Sequence, residues 1–544
     1  MRDIPILLER KHRLIPIKYY NLYAIISSPD QSNNPHMPDL ASLIALCTDN
    51  RSPSDRADFR SSKVYAVLED AFTLWCSLHA PREAAAQENS PYETEKARRE
   101  REIRLRWADK NFPGFVAVEN ARGPEALALT LKYMAEGRCA ILYPALWFLP
   151  KHMFGKANMI VRSDAAPSVF GDYHYTLVQL KQAIEAKHHY CIQGALLNRI
   201  LGLMQGYQAP EFRLFLRTKD VTLRQHELER ELDEVLDTWN AIKDGLLEPE
   251  PCKPPNAASA PWRAYANELV IKKKDIILLA GISREWRQKL RMSGIHTTDD
   301  AALAGLARLQ ELTDEQAAPE IYGNALAYRL NTPIGRDGAR FALPQKSRNL
   351  YFDFENADSM QPGQPSYVYL IGVWDAETGT YSALLAKNAA EEEGIFRQFA
   401  ELVGDPSQAL LYHWTEHETH HIKEAAAKYP VLAKAMQALL PACCDLKKVV
   451  QKAFYLPAPS LSLKAAAPAL GFSWRQLECG AMDSMAHYWD WVENNNQEAI
   501  KKVLIYNEDD CLAMHRVHKA LSAREPLSLE RARELIESGA TEAL

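Results

Sequence analysis

The sequence predicts an α/β protein whose C-terminal half is built on a mixed sheet with helices on its faces. Two observations predict this class. After residue 345, three β-rich runs follow one another, NLYFDFE, SYVYLIGVWD and TYSALLAK, and the residues ETGT at 377–380 link the last two as a hairpin connection. Helix and strand patterns then alternate through AEEEGIFRQFAELVG, ALLYHW, a helix over 416–428 and CDLKKVV. A strand meander followed by this alternation gives a mixed sheet with flanking helices.

The composition excludes several classes of protein. With 544 residues, 47% of them hydrophobic, the chain is long enough for several packed domains and is neither disordered nor fibrous. Lysine and arginine number 64 against 70 aspartates and glutamates, so the net charge of -6 gives no whole-chain attraction to a polyanion. Any nucleic-acid surface must therefore be local. The nine cysteines form no CxxC or Cys/His cluster, which argues against zinc and iron–sulfur sites.

No stretch of the sequence has the length and apolarity of a membrane span. The longest apolar runs, such as CAILYPALWFLP at 139–150, are shorter than the ~18 residues that cross a bilayer. The first residues, MRDIPILLERKHR, contain no apolar signal-peptide core. We therefore expect a soluble, cytoplasmic protein without a membrane partner.

Two features organise the N-terminal half. The run YETEKARREREIRLRW at 92–107 predicts a charge-dense helix, whose alternating signs are typical of a solvated face, with phosphate contact as the alternative. The run EPEPCKPPNAASAPW at 248–262 concentrates Pro, Ala and Ser and interrupts both helix and strand periodicity. This run predicts an interdomain linker close to the middle of the chain.

The segment that follows the linker predicts short helices. Breaks fall at Gly281 and Gly294, and a helix start at Thr297-Thr298-Asp299 follows the second glycine. Two helices around a glycine turn can present backbone N–H groups to a phosphate, and Lys272, Lys273 and Lys274 lie nearby. The segment resembles a helix-hairpin-helix module. A small helical spacer is the alternative.

Asp353 and Glu355 are the first candidate site residues. They lie two apart in YFDFE, and because strand side chains alternate between faces, both carboxylates project from the same face. Leu350, Phe352 and Phe354 would bury the opposite face. Two carboxylates side by side on a core strand repel each other, and a cation offsets that cost, so the pair indicates a metal site. A solvent-facing pair on an edge strand is the alternative.

A second candidate cluster lies in EAIKKVLIYNEDDCLAMHRVHKAL. Tyr506 and Asp510 share one helix face with Ala513 and Val517, so the tyrosine ring and the Asp510 carboxylate point together, whereas 508–509 point elsewhere. Taken alone, Tyr and Asp at this spacing are also ordinary in a helix.

These segments together carry a resemblance. YFDFE with YLIGV, YHW with Glu418, Asp445 in DLKKVV, SLKAAAPALGFSW at 462–474 and YNEDDC at 506–511 occur in the order and spacing of a known family. Residues 348–522 resemble the RNase H-like domain of RecB-like nucleases, which is related to the DEDD exonucleases.

The resemblance implies a role for each candidate residue. Asp353 and Glu355 correspond to the first metal-binding motif, Asp510 is the last carboxylate, and Tyr506 orients the attacking water, as in the tyrosine branch. Glu418 stands where the superfamily more often has aspartate, which keeps the charge and lengthens the reach. Near it, Glu416, His417, His420 and His421 compete for the ligand role, the histidines being expected on an exposed helix face. Asp445, expected to begin a strand or turn, has a supporting or structural role.

The family also carries a PD-(D/E)XK nuclease domain before its RNase H-like domain. The nearest text is GKANMIVRSD at 155–164 and YTLVQLKQA at 175–183, followed by GALLNRILGLMQGYQAPEFRLFL at 194–216. Asn158 stands at the aspartate position and Gln179 at the (D/E) position before Lys181. A neutral amide gives no charge to offset Mg²⁺. We therefore expect a degenerate nuclease domain that binds nucleic acid or a protein partner, or positions the substrate.

The expected function is metal-dependent hydrolysis of DNA or RNA, acting as a 3′–5′ exonuclease on single strands or free 3′ ends. Carboxylate oxygens are ligands that Mg²⁺ and Mn²⁺ prefer. Two such ions about 4 Å apart can activate a water molecule and stabilise the attacking and leaving oxygens when a phosphodiester bond is hydrolysed. Two alternatives stay open: a catalytically inactive platform that binds nucleic acid or protein, and an endonuclease guided by a partner.

The expected division of the chain follows from these observations. The predicted parts are an N-terminal accessory region (1–110), a degenerate RecB-like PD-(D/E)XK domain (111–248) of restriction-endonuclease-like α/β fold, a Pro-rich linker (249–265), a helix-hairpin-helix-like module (266–320), an RNase H-like nuclease domain (345–525) and a C-terminal helix or tail (526–544).

Overall fold

The computed structural model describes residues 39–85, 90–252, 261–336, 343, 346–357, 366–476, 480–523 and 525–539. Residues 1–38 of the predicted accessory region, residues 253–260 of the predicted linker and the last five residues lie outside the described residues. The chain divides into two compact units that do not follow chain order. Among the described residues, those from 39 to 68 join 106–243 in the first unit, and those from 69 to 105 join those from 244 onward in the second.

The N-terminal half contains seven helices among its described residues and short strands between them. The helices are α1 (Leu40–Thr48), α2 (Val64–Glu69), α3 (Ala71–His79), α4 (Pro91–Asn111), α5 (Pro124–Ala135), α6 (His188–Gln205) and α7 (Gln225–Lys243). The strands are β1 (Phe59–Arg60), β2 (Val116–Ala117), β3 (Ala140–Leu142), β4 (Ala145–Phe148), β5 (Met153–Lys156), β6 (Met159–Ser163), β7 (His174–Leu180), β8 (Glu211–Phe215) and β9 (Asp220–Arg224).

The first unit is built on a six-stranded mixed sheet of order β2-β3-β6-β7-β8-β9. β2 with β3 and β7 with β8 run parallel, and the other neighbours are antiparallel. The long helix α6 is apolar on most of its surface and packs against β7 and against β4 of a small three-stranded sheet, β1-β5-β4. This unit is therefore α/β. The nuclease-like ancestry expected for it stays a prediction.

The C-terminal half has the following elements. The helices are α8 (Arg263–Lys272), α9 (Arg284–Met292), α10 (Thr298–Leu312), α11 (Ala317–Leu330), α12 (Glu392–Val403), α13 (Glu416–Lys428), α14 (Ala433–Leu439), α15 (Leu446–Ala453), α16 (Leu463–Ala466), α17 (Ala481–Asn494), α18 (Gln497–Ser522) and α19 (Leu529–Glu537). The strands are β10 (Ile334–Gly335), β11 (Arg348–Ala357), β12 (Tyr367–Asp375), β13 (Thr380–Leu385), β14 (Ala409–His413), β15 (Cys443–Asp445), β16 (Phe454–Tyr455) and β17 (Leu527–Ser528).

A five-stranded mixed sheet of order β13-β12-β11-β14-β15 forms the core of the second unit. The first three strands form an antiparallel meander, and β14 and β15 then add in parallel to β11. Leu350, Phe352 and Phe354 of β11 belong to the apolar core on one face, with side chains of α12 and α13. Tyr351 belongs to the core on the other face, with α18. The predicted mixed sheet with helices on its faces is confirmed.

The charge-dense helix α4 is less solvated than its sequence predicts. Tyr92 is buried and stacks on Trp489 of α17, with ring centroids 6.4 Å apart. The guanidinium of Arg99 lies 4.1 Å from the same indole ring and also pairs with Glu493 at 2.5 Å. Part of the charged surface of α4 is therefore a packing interface inside the second unit.

The segment that contains Gly281 and Gly294 consists of short helices, and the chain turns at both glycines, as the sequence predicts. Gly281 and Gly294 have φ values of 80° and 84°, a left-handed conformation that favours glycine. Thr297 caps α10 in a capping box with Asp300. Lys273 and Lys274, two of the lysines near the predicted glycine turn, pair with Glu250 and Asp299 respectively. A phosphate-binding role for this module stays a prediction.

Within the part of the chain that the structure describes, no helix combines the length and the apolarity needed to cross a membrane.

Candidate metal centre

Strand β11 presents the first two candidate carboxylates on one side of the sheet. The alternation of the strand places Phe352 and Phe354 in the core of the opposite face, so Asp353 and Glu355 share the other face. Glu355 is only 7% exposed. The two carboxylates therefore share a face, as the alternation of the strand predicts. Because β11 is the central strand of the sheet, the alternative of a solvent-facing pair on an edge strand is wrong.

Helix α18 brings the third carboxylate to this face. It begins after Asn496, whose side chain caps its first turn, and it packs across β11 and β12. Tyr506 and Asp510 lie on its inward face, and Asp510 is 8% exposed. The helix approaches the sheet closely at Gly372, which pairs with Asp353 across the strands. A Cβ atom at Gly372 would lie 1.6 Å from Asn507 Oδ1, so a side chain there would push the helix away.

Asp353, Glu355 and Asp510 converge on one point. One carboxylate oxygen from each residue can be chosen such that the three oxygens all lie within 4.8 Å of one another. The three residues come from segments more than 150 positions apart in the sequence, and the fold brings them together.

Polar side chains hold the three carboxylates in place. Asn507 Nδ2 donates to Asp353 Oδ2 at 2.8 Å, and Trp474 Nε1 donates to Asp510 Oδ1 at 2.7 Å. The ammonium of Lys464, on α16, lies 3.1 Å from the same Asp510 oxygen. Ser484 hydrogen-bonds to Glu355, and the Tyr506 hydroxyl hydrogen-bonds to Asp510.

Burial and mutual repulsion raise the proton affinity of this cluster. Burial, followed by the negative charges of Asp510, Glu355 and Glu418, raises the pKa of Asp353 well above its ordinary value. Burial and the charge of Asp510 raise the pKa of Glu355 to about 8. Burial also raises the pKa of Asp510, while Lys464 and Trp474 oppose that rise. These shifts mean that ionising all three groups together is costly unless positive charge compensates.

The donor set fits a hard divalent cation. All three ligand atoms are carboxylate oxygens, which Mg²⁺ and Mn²⁺ prefer, and no sulfur or imidazole takes part in this group. A cation between the three groups would favour their ionised forms and so remove the electrostatic penalty of burying them. The triad can therefore bind a divalent metal ion.

Glu418 lies beside the triad but outside it. It is buried on α13, and its Oε2 accepts the Thr415 hydroxyl at 3.1 Å and lies 3.6 Å from His413 Nδ1. Its negative charge reaches Asp353, whose pKa it raises. Among the described residues, three of the four acidic groups expected to converge have ligand oxygens within 4.8 Å of one another, and Glu418 is not one of them. Its role as a metal ligand stays a prediction.

The competing residues of α13 are not part of the triad. Glu416 is exposed and pairs with Lys448. His417 and His420 are exposed, as expected, whereas His421 is half-buried and its Nε2 lies 3.1 Å from His417 Nε2.

Asp445 has a structural role at a helix start. It ends β15 rather than beginning a strand, so that expectation is wrong. Its Oδ1 accepts the backbone N–H of Lys448 at 3.0 Å and caps α15. The carboxylates of Glu508 and Asp509 also lie outside the triad, since both pair with Arg475.

Sequence reasoning missed four residues that contact the triad: Lys464, Trp474, Ser484 and Asn507. Lys464 and Trp474 stand in SLKAAAPALGFSW, one of the segments that carry the resemblance, so a signal was present for them. Asn507 follows Tyr506 directly, and nothing in its local pattern distinguishes it. Their contacts join separate elements, and only the packing of α16, α17 and α18 on the sheet creates them.

In the first unit, Asn158 and Gln179 lie on neighbouring segments. The side chain of Asn158 accepts the backbone N–H of Leu180 at 2.9 Å, so it serves as a structural hydrogen-bond acceptor. Gln179 is buried in β7, and its Nε2 finds no hydrogen-bond partner among the described residues. Lys181 donates to Gln193 Oε1 at 2.6 Å.

The family comparison places the triad in a known class of domain. A family model described as the RNase H superfamily matches residues 350–522, about a third of the chain. Comparison with curated proteins and with solved structures returned no match. The matched segment contains the five-stranded sheet from Leu350 onward and the helices that carry Glu418, Tyr506 and Asp510. The C-terminal half therefore contains an RNase H-like domain, and such a domain indicates nuclease-type activity on nucleic acid.

Proposed function

We propose that the RNase H-like domain of residues 350–522 is a metal-dependent nuclease that hydrolyses phosphodiester bonds of DNA or RNA, acting from a free 3′ end. The observation that carries this proposal is the triad of half-buried Asp353 and buried Glu355 and Asp510, with ligand oxygens within 4.8 Å of one another. Three such carboxylates do not stabilise the fold by packing, because their desolvation costs free energy and their charges repel one another. Their convergence in this class of domain supports a catalytic metal centre.

The triad would hold Mg²⁺ or Mn²⁺, with Glu418 adding negative charge from α13. Two such ions, when bound, activate a water molecule and neutralise the charge that develops on the attacking and leaving oxygens. Tyr506 places its hydroxyl beside Asp510, where it can orient a water molecule. Trp474 and Asn507 fix the rotamers of Asp510 and Asp353 by donating to them.

The first test is Asp353→Asn, which keeps the shape of the side chain and removes its charge. Loss of a supporting residue near a metal typically costs 10–100-fold, so loss of a ligand should lower metal-dependent nucleotide release by about a hundredfold or more. Glu508→Gln, on α18 but paired with Arg475 outside the triad, is the matched control and should retain activity. Unchanged activity in Asp353→Asn would refute the proposal.

The direction of attack is tested separately. A nuclease that needs a free 3′ end should leave a circular single-stranded DNA intact while it degrades the same sequence in linear form. Degradation of the circle would instead favour an internal cutter, which is the partner-guided alternative. A protein that binds strands in Mn²⁺ yet cleaves neither form would support the inactive platform.

For the first unit we propose a binding role without catalysis. Asn158 and Gln179 supply amides where a metal site would need carboxylates, and the structure uses Asn158 as an acceptor for a backbone N–H. This unit would then bind nucleic acid or a protein partner. The helical module around Gly281 and Gly294 would contact the nucleic-acid backbone.

A further inference from the structure

Lys464 has an unusual position among the carboxylates. Its ammonium lies 3.1 Å from Asp510 Oδ1, 4.1 Å from the centre of the Trp474 ring and 4.2 Å from that of the Tyr506 ring. The two aromatic rings therefore both contact the cationic head group while it pairs with Asp510, which is a favourable cation–π arrangement.

The ammonium of Lys464 lies within ion-pair distance of the triad. It pairs with Asp510, one of whose carboxylate oxygens lies within 4.8 Å of an oxygen of Asp353 and of an oxygen of Glu355. This ammonium therefore supplies the kind of compensation that a divalent cation would supply at the same carboxylates.

The side chain of Lys464 can also leave this position. It is 39% exposed, whereas Asp510 is buried. A lysine has a flexible four-carbon stem and a strongly hydrated head group, so moving the ammonium from Asp510 into water costs little compared with moving Asp510 itself.

We propose that Lys464 competes with the divalent cation for Asp510 and, when displaced from that carboxylate, binds a phosphate of the nucleic-acid strand. The inference rests on the proposed function and deepens it by adding a positioning residue. The physical reason is that an ammonium and a divalent ion at the same carboxylate repel each other, and a phosphate of a bound strand is a strong anion with which the displaced ammonium can pair.

The test measures metal binding without catalysis. Mn²⁺ is titrated into the full-length protein while the melting temperature is followed, for the wild type, Lys464→Met and Lys464→Arg. Methionine keeps an unbranched stem over the two rings without the charge. We expect Lys464→Met to lower the half-saturating Mn²⁺ concentration roughly tenfold, because the competing charge is gone, while Lys464→Arg stays near the wild type.

Lys428→Met is the matched control. Lys428 is 42% exposed and pairs with the buried carboxylate of Glu392, which is remote from the triad, so it reproduces the burial and pairing of Lys464. Its half-saturating Mn²⁺ concentration should equal that of the wild type. An equal response of Lys464→Met and Lys428→Met, or weaker Mn²⁺ binding by Lys464→Met, would overturn the inference.

A second readout separates substrate positioning from a structural role. At saturating Mn²⁺, Lys464→Met should raise KM for a single-stranded DNA oligonucleotide more than it lowers kcat, and Lys464→Arg should restore KM. An unchanged KM overturns the phosphate-binding role. If Mn²⁺ does not stabilise the wild type, the proposed function itself is overturned. If Mn²⁺ stabilises the wild type and the Lys464 variants at the same half-saturating concentration, only this inference is overturned.

Discussion

At Glu355, burial and a neighbouring negative charge both oppose ionisation of the carboxyl group. The side chain is almost fully buried on a central strand, and burial followed by the charge of Asp510 raises its pKa to about 8. Its hydrogen bonds with Ser484 and Asn507 and the charge of Lys464 act in the opposite direction. The triad is therefore poised so that a change of charge nearby changes its protonation.

This shift makes stability depend on pH. The ordinary pKa of a glutamate is 4.5, so between pH 4.5 and about 8 the folded protein binds more protons at Glu355 than the unfolded chain does. The free energy of unfolding in EDTA should therefore fall as pH rises through this window. Glu355→Gln should reduce the slope of urea-unfolding free energy against pH, and Glu508→Gln should not. Mn²⁺ should flatten the wild-type profile, and an unaltered slope in Glu355→Gln would contradict this account.

The residue-scale expectations that succeeded were those fixed by local periodicity. The two-residue repeat of β11 placed Asp353 and Glu355 on one face, and the helical spacing placed Tyr506 with Asp510. The position of the Glu418 carboxylate relative to the triad could not be predicted in this way, because it depends on the side chains that contact it. Thr415 and His413 engage it, and neither contact follows from a repeat.

Among the elements, α15 begins directly after an acidic residue whose contacts are those of a helix cap. Asp445 accepts the N–H of Lys448 and caps the helix directly after β15. Capping satisfies a backbone donor that has no partner within the helix. The position of Asp445 at the end of a parallel strand therefore does not make it a ligand.

Substitution of Asp445 tests this assignment. Asp445→Ala should lower the free energy of unfolding by about 0.5–2 kcal/mol, the usual cost of removing an N-cap, while metal-dependent activity per folded molecule is retained. Asp445→Asn keeps a capping oxygen and should be close to the wild type. Urea unfolding and nuclease assays on the same preparations check both points. A loss of activity in Asp445→Asn would instead indicate a role for its charge.

The packing of α4 on α17 is an element-scale result that charge patterning did not predict. Tyr92 is buried against Trp489, and Arg99 lies over the same indole ring. Long charged side chains can cover apolar surface with their stems, so a run of alternating charges does not by itself indicate a fully solvated helix.

Removing the aromatic contact should destabilise the second unit. Tyr92→Ala should cost about 3 kcal/mol, as expected for truncating a large buried aromatic side chain. Glu93→Ala, at the exposed neighbouring position, should stay within about 0.5 kcal/mol of the wild type. Urea unfolding followed by tryptophan fluorescence measures both. Equal stability of the two variants would show that α4 contributes no packing energy.

At the scale of the whole molecule, we propose that the two compact units have different functions. The second unit contains the triad and its supporting residues, and residues 69–105 belong to it although they precede most of the first unit in the chain. The first unit has a mixed α/β sheet, and Asn158 and Gln179 are the amides that the expected resemblance to a nuclease domain assigns to metal-ligand positions. One catalytic centre in the second unit is the arrangement that these observations support.

This division predicts that no cleavage survives without the triad. In full-length Asp353→Asn with Asp510→Asn, metal-dependent nucleotide release should fall to background, since Asn158 and Gln179 cannot provide a second metal site. Circular dichroism should show that the double variant remains folded. Residual cleavage that depends on Mn²⁺ would place a second active centre elsewhere, with the first unit as its candidate.

The sequence by itself determined the fold class, the strand alternation that pairs Asp353 with Glu355 and the helical face shared by Tyr506 and Asp510. Each follows from backbone geometry that repeats within a few residues. Only the tertiary structure decided that these two faces meet, that Glu418 lies beside the triad and that Lys464 and Trp474 contact Asp510. Those distances depend on how helices pack on the sheet. Packing is set by the sum of many apolar contacts between distant segments, and no local pattern encodes that sum.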